Sequence, residues 1–260
     1  MDTGANLQEV ETHLEDLTEQ AYQVFGKYRV KQLRDVCTVC CISKEEENHL
    51  LAVSAGGLSC EDLSTYATAA FATQPDAPDE FRHFLPRYLE LLKDFETPGA
   101  VTETTLNRLK QYRAVKEWPE AEIQLLDEFA SSLFTKALLS YPVYTMSPIT
   151  LLIIFDNGGI DINPLLVQWQ NTLCDTRLFH LKDLLLEGLN AKKDYQLSNG
   201  FASDTLSHEF HQWLTDNSPA LCTCIEQFIA DSTEPDDMQL EELSWVYEIL
   251  MHHFNVTGSK

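Results

Sequence analysis

Positive charge is what this sequence has least of. Lys and Arg number 18 against 41 Asp and Glu, which leaves a net charge of −23. A surface that negative repels phosphate backbones and anionic lipids, so neither nucleic acid nor a membrane surface is an expected partner. Long apolar runs are also missing. The longest, 149–155, falls far short of the ~20 residues a helix needs to cross a bilayer. The first residues, Met1-Asp2-Thr3-Gly4-Ala5-Asn6, contain no basic stretch leading into an apolar one, so no secretory leader is expected. Neither a G-x-S-x-G nor a phosphate-binding glycine loop occurs. Nothing singles out a nucleophile, and the chain is expected not to be an enzyme, with no catalytic residue and no cofactor.

Alternating strand patterns are scarce, while helical spacing is frequent. Leu7, Val10, Leu14, Leu17, Ala21, Val24, Phe25 and Tyr28 recur in steps of three and four, marking one face of a long helix over 7–33. Ser43 followed by Glu46 is a capping box, and Ser59 opens a helix over 60–73 with Leu63, Tyr66, Ala67 and Ala70 inward. A helix over 79–95 contains Pro86, which kinks it or splits it in two. Further helices are predicted at 102–116, 119–140, from Ser147 to Asn157-Gly158-Gly159, from Pro164 to Leu173, and at 178–189. Three more follow at 204–216, 219–231 and 237–254, with starts at Ser203, Ser218 and Asp236. The fold class expected is all-α, an irregular helical bundle or a short HEAT-like α-solenoid. Prolines at 142 and 148 place the weakest internal boundary at 141–147, separating parts 1–141 and 142–256 of what reads as one continuous structural unit.

Seven cysteines, an odd number in a chain of this size, read as reduced thiols in a cytoplasmic protein. Cys37-x-x-Cys40-Cys41 has half of a zinc-site spacing, with His49 and Cys60 as conceivable further ligands. No second pair follows at a finger-like distance, so ordinary cysteines at a helix junction are expected and no metal site. Cys222 and Cys224 lie two apart on a helix and do not share a face. His208 and His211 do share one, which suits a chelate but is not the HExxH of a metalloprotease. His252 and His253 face different directions. The run Asp156 to Asp161 lacks the spacing of a calcium loop, and a helix stop followed by a turn explains its glycines. Lys27, Arg29, Lys31 and Arg34 sit where they complement the end of the first helix. Arg108, Lys110, Arg113 and Lys116 decorate another.

Acidic residues gather in two places: Glu45, Glu46 and Glu47, and then Asp231, Glu234, Asp236, Asp237, Glu241 and Glu242. Carboxylates at helix starts are favourable in themselves. Their alternative use is as a docking surface for a Lys- and Arg-rich protein.

The most distinctive segment is Phe81-Arg82-His83-Phe84-Leu85-Pro86-Arg87-Tyr88-Leu89-Glu90-Leu91-Leu92. Phe81, Phe84, Leu85, Tyr88, Leu89 and Leu92 give it an apolar face, and Arg82 and Arg87 read as clamps to carboxylates or carbonyls. With the cysteine cluster and the stretch Leu58-Ser59-x-x-Asp62-Leu63-x-x-Tyr66, it resembles a family of bacterial helical proteins associated with polymorphic-toxin loci. The resemblance covers 35–95 well and the remainder loosely. The prolines that the family pattern places beside its cysteines are missing here. The resemblance implies a cytoplasmic immunity protein that neutralises a contact-dependent or Rhs-type antibacterial toxin, its partner being a basic, nuclease-like toxin domain. A helical scaffold or adaptor without a toxin partner, or a Cys/His metal-dependent regulator, is the alternative.

Overall fold

A computed structural model describes residues 6–70, 77–115, 117–143, 146–171, 177–191, 195–231 and 237–254. The described chain is an all-α helical bundle. In order come α1 (Leu7–Phe25), α2 (Lys44–Ala52), α3 (Cys60–Thr68), α4 (Ala77–Lys93), α5 (Asn107–Val115) and α6 (Glu120–Leu139). Then follow α7 (Pro148–Gly158), α8 (Asn163–Gln170), α9 (Arg177–Asp183), α10 (Asp204–Asp231) and α11 (Asp237–Ile249). Two compact units are formed, one of residues 5–133 with 154–161, the other of 134–153 and the chain from 162 onward. The first division falls inside α6, between Leu133 and Phe134. No described helix is long and apolar enough to cross a membrane.

In the first unit α4 is the central helix, with α1 packed along it. Phe81, Phe84, Leu85, Tyr88, Leu89 and Leu92 are all buried, as their spacing predicts, and so is Leu91. Pro86 leaves the helix continuous rather than dividing it. The cap residues behave as expected. Ser43 and Glu46 close a reciprocal capping box at α2, and Ser59 and Asp62 do the same at α3. Helix α7 is stopped by Gly159, which follows its last residue with a φ of +73°. The Gly159 N–H donates to the Asp156 carbonyl and the Ile160 N–H to the Phe155 carbonyl, both at 2.9 Å, a Schellman stop that accounts for the paired glycines.

Several expectations are corrected. Helix α1 ends at Phe25 rather than near 33, because the residues beyond it are claimed from far along the chain. The Tyr28 hydroxyl donates to Glu122 at 2.6 Å, and Lys27 Nζ lies 2.7 Å from the same carboxylate. Lys27, Arg29, Lys31 and Arg34 therefore follow α1 instead of capping it. Ala70 is exposed, and Ala69 takes the inward place beside Leu63 and Tyr66. The predicted break at Ser218 is absent. Helix α10 runs on through Pro219, which has no N–H for the Thr215 carbonyl, and the Ser218 hydroxyl donates to that carbonyl instead at 3.4 Å. A two-stranded antiparallel sheet, β1 (Leu189–Asn190) and β2 (Gln196–Leu197), is too short for alternation to have signalled it. The thiols are not uniformly reduced either, since Cys224 is disulfide-bonded while Cys222 is free and buried.

Two buried polar hubs fix the first unit. Asp35 is fully buried and accepts from Tyr66 at 2.9 Å, from Arg108 Nη1 at 2.6 Å, and from Tyr112. Arg108 also donates to the Tyr66 and Ala69 carbonyls. In the second hub Arg82 lies 3.3 Å from Glu122 and 3.1 Å from Asp79, with its guanidinium over the Trp118 ring. Arg87 donates to the Leu58 carbonyl and to Glu90. Both arginines of the distinctive segment are thus structural clamps. In the second unit Trp169 is buried against the rings of Phe134, Phe210 and Trp213.

Candidate partner-binding surface

The basic residues matter first, because they set how much acidic charge stays uncompensated. Arg82, Arg87, Arg108, Lys44 and Lys182 all pair with carboxylates of their own unit. On α5, Lys110 donates to the Asp156 carbonyl and Arg113 to the Gly159 carbonyl, so both cations stabilise the end of α7. Lys116 lies outside the described residues.

The predicted acidic groups divide. Glu45 is exposed. Glu46 is exposed too, yet its carboxylate is held by the Ser43 backbone N–H at 2.7 Å, and bonds to Ser43 keep its pKa below the usual carboxylate value. Glu47 turns inward, buried and 2.7 Å from Lys44 Nζ, so it contributes nothing to an outer surface. Asp231 is exposed at the end of α10, and Glu241 is exposed on α11. Glu242 is half-buried and held by Lys182, which also reaches Asp183. Glu234 and Asp236 lie outside the described residues, as does the side chain of Asp237.

Sequence reasoning missed two features. Helix α1 carries Glu9, Glu11, Glu15, Asp16 and Glu19 with no Lys or Arg, and all of these but half-buried Glu11 are exposed. Helix α11 has two faces. Leu243, Val246, Leu250 and Phe254 point inward along the helix and the wider turn that follows it. Met238, Glu241, Trp245 and Glu248, in steps of three and four, point outward. Trp245 is 50% exposed and Met238 63%. The Tyr247 hydroxyl donates to Glu226 at 2.8 Å, tying α11 to α10. A second set of positions at helical spacing, complementary to the inward one, was the available signal.

The cysteine and histidine clusters also have definite places. Cys37, Cys40 and Cys41 bring their sulfurs within 4.8 Å of one another. Backbone N–H groups of Cys40 and Val39 hydrogen-bond to Cys37 and pull its pKa down to about 7, while the neighbouring sulfur of Cys37 pushes Cys40 up to about 11. His49 does not join them but pairs with Asp62 at 3.0 Å. Cys60 stays apart from them as a free thiol. His208 and His211 line a cavity of about 370 Å³ with Gln196, Asp204 and Ser207, and among the described residues no third ligand joins them to make a metal-binding group. His253 rests on the Tyr195 ring.

Comparison with family models, with curated proteins and with solved structures finds no match to this chain.

Proposed function

We propose that this protein acts by binding rather than by catalysis. In this reading it is an immunity protein that forms a stoichiometric complex with a basic, nuclease-like toxin domain and so neutralises it. The observation that carries the proposal is the outward face of α11. There a half-exposed tryptophan and an exposed methionine stand among Glu241 and Glu248. Tryptophan is the residue most often found at the energetic centre of an interface, where neighbouring contacts exclude water from it. Carboxylates around it steer and orient a cationic partner, and the indole face accepts an Arg or Lys directly. The excess of 41 acidic over 18 basic residues adds a long-range field of the same sign. A toxin that cuts nucleic acid needs a cationic cleft, and this face offers negative charge in place of phosphates.

The test is affinity capture from the source cell with two baits, the wild type and Trp245→Ala/Glu241→Lys, compared by quantitative mass spectrometry. One basic protein recovered near stoichiometry with the wild type, and lost with the variant, is the expected result. Recovery of that partner by both baits, with the variant folded by circular dichroism, removes α11 as the docking face. Recovery of no basic partner by the wild type removes the immunity reading.

A further inference from the structure

Cys37, Cys40 and Cys41 play no part in the α11 face, and the fold does not need three thiols at one turn. Cys37 Sγ lies 3.3 Å from Cys40 Sγ, which lies 3.6 Å from Cys41 Sγ, and all three fall within 4.8 Å. Sulfurs sharing one tetrahedral zinc at a Zn–S distance of about 2.3 Å sit roughly 3.8 Å apart. The two contacts at 3.3 and 3.6 Å fall a few tenths of an ångström short of that value, within reach of small rotations of the side chains.

The turn is held independently of its thiols. The Cys41 and Ile42 N–H groups donate to the Cys37 carbonyl, and the Cys37 N–H donates to the Ala70 carbonyl at 2.9 Å. Val36 and Ile42 anchor either side in the core, and Asp35 is locked by Arg108 and Tyr66. The Val39 and Cys40 N–H groups point at Cys37 Sγ. Such donors orient a thiolate ligand and spread its charge when it is bound to a metal. Cys40 and Cys41 are exposed, as is the intervening turn, with Val39 at 94%. Among the described residues no fourth His, Cys, Asp or Glu ligand atom completes the set.

We propose that this turn binds one soft d¹⁰ cation, zinc(II) or copper(I), through three thiolates, leaving the remaining coordination position open to water or to a ligand from another molecule. Thiolates select these ions over harder ones. Each thiol ligates as its thiolate, so up to three protons leave per ion bound, the number depending on how far the thiols are already ionised, and no oxidant is consumed.

The experiment uses the full reduced chain, handled without oxygen, titrated separately with zinc(II) and with copper(I), and read by bound metal per chain. One equivalent of one of these ions is expected, falling to none in Cys37→Ser/Cys40→Ser/Cys41→Ser and staying at one in His208→Ala/His211→Ala. The titration itself shows which ion the site takes. A second readout needs no variant: bound metal should protect Cys37, Cys40 and Cys41 from alkylation while leaving Cys60 reactive, as read by peptide mass spectrometry. Absence of stoichiometric metal overturns the proposal. So does undiminished binding in the folded triple variant, or full alkylation of the three cysteines in the presence of metal. Conversion of Cys37 and Cys40 to a disulfide on air exposure, without metal uptake beforehand, assigns the turn to redox chemistry instead and also overturns it.

Discussion

Replacing Asp35 with alanine should be among the most damaging single changes in the first unit. The carboxylate is fully buried, and so are its partners Tyr66, Tyr112 and Arg108. Removing it takes away three hydrogen bonds to a charged group, one from Arg108 and two from phenols, each worth about 1.5–3 kcal/mol. Arg108 would keep only the Tyr66 and Ala69 carbonyls of the contacts described above. Part of the loss is offset, because burial already raises the pKa of Asp35 against the pull of Arg108. The net cost should match that of a broken buried ion pair, roughly 3–5 kcal/mol. At about 2–4 °C per kcal/mol for a chain of this size, the midpoint should fall by roughly 6–20 °C. Urea and thermal unfolding by far-ultraviolet circular dichroism measure it. A double variant, Asp35→Ala/Arg108→Met, should be more stable than Asp35→Ala alone, since the buried guanidinium that lost its carboxylate is gone. An Asp35→Ala protein within 1 kcal/mol of wild type refutes the reasoning, as does a double variant less stable than the single.

Glu80 accepts backbone N–H groups of Arg34 and Asp35, and burial pushes its pKa up to about 7. The folded state therefore holds a proton that the unfolded chain releases near its ordinary value of 4.5. This group's contribution to stability is full at low pH and is lost as pH rises from about 4.5 to 7. Glu80→Gln should flatten the stability profile across that window and stabilise the protein at pH 8, and an unchanged slope contradicts the assignment. Gly159→Ala should cost about 1–2 kcal/mol because of its left-handed backbone. The new Cβ would also stand 3.2 Å from Lys110 Cγ, and a neutral effect on the urea midpoint argues against the turn described. Thiol trapping in intact cells bears on location: the structure predicts that Cys224 is alkylated only after reduction, and labelling before reduction contradicts the bond. A Cys224 bond already present in the cell places the chain where the compartment oxidises and contradicts the cytoplasmic expectation.

What sequence made legible was mostly local. The caps at Ser43 and Ser59 and the stop at Gly158-Gly159 act within five residues, so their signals and their structures coincide. The face of α4 was legible because its period matches its burial. Distant partners decided the rest. Glu122 draws Lys27 and Tyr28 away from a helix whose spacing continued past them. Ser218 rescues a helix that Pro219 marks for ending, through a hydroxyl bond that no propensity encodes. Glu47 and Glu242 counted as surface charge until Lys44 and Lys182 were seen to hold them. Trp245 was hidden because apolar spacing alone does not say which of two faces at helical period is buried. The three cysteines stand at i, i+3 and i+4, a spacing legible in sequence, while the close approach of their sulfurs is set by the turn that carries them.

The most direct test of the proposed binding is growth rescue, in cells expressing the basic partner recovered by affinity capture, coupled to association kinetics of the purified pair. The account predicts that wild type rescues growth and that Trp245→Ala/Glu241→Lys fails to. It also predicts that association slows steeply as salt rises from 0.1 M, where charges act over about 10 Å, to 1 M, where they act over about 3 Å. Full rescue by that variant, together with association rates indifferent to salt, would contradict it.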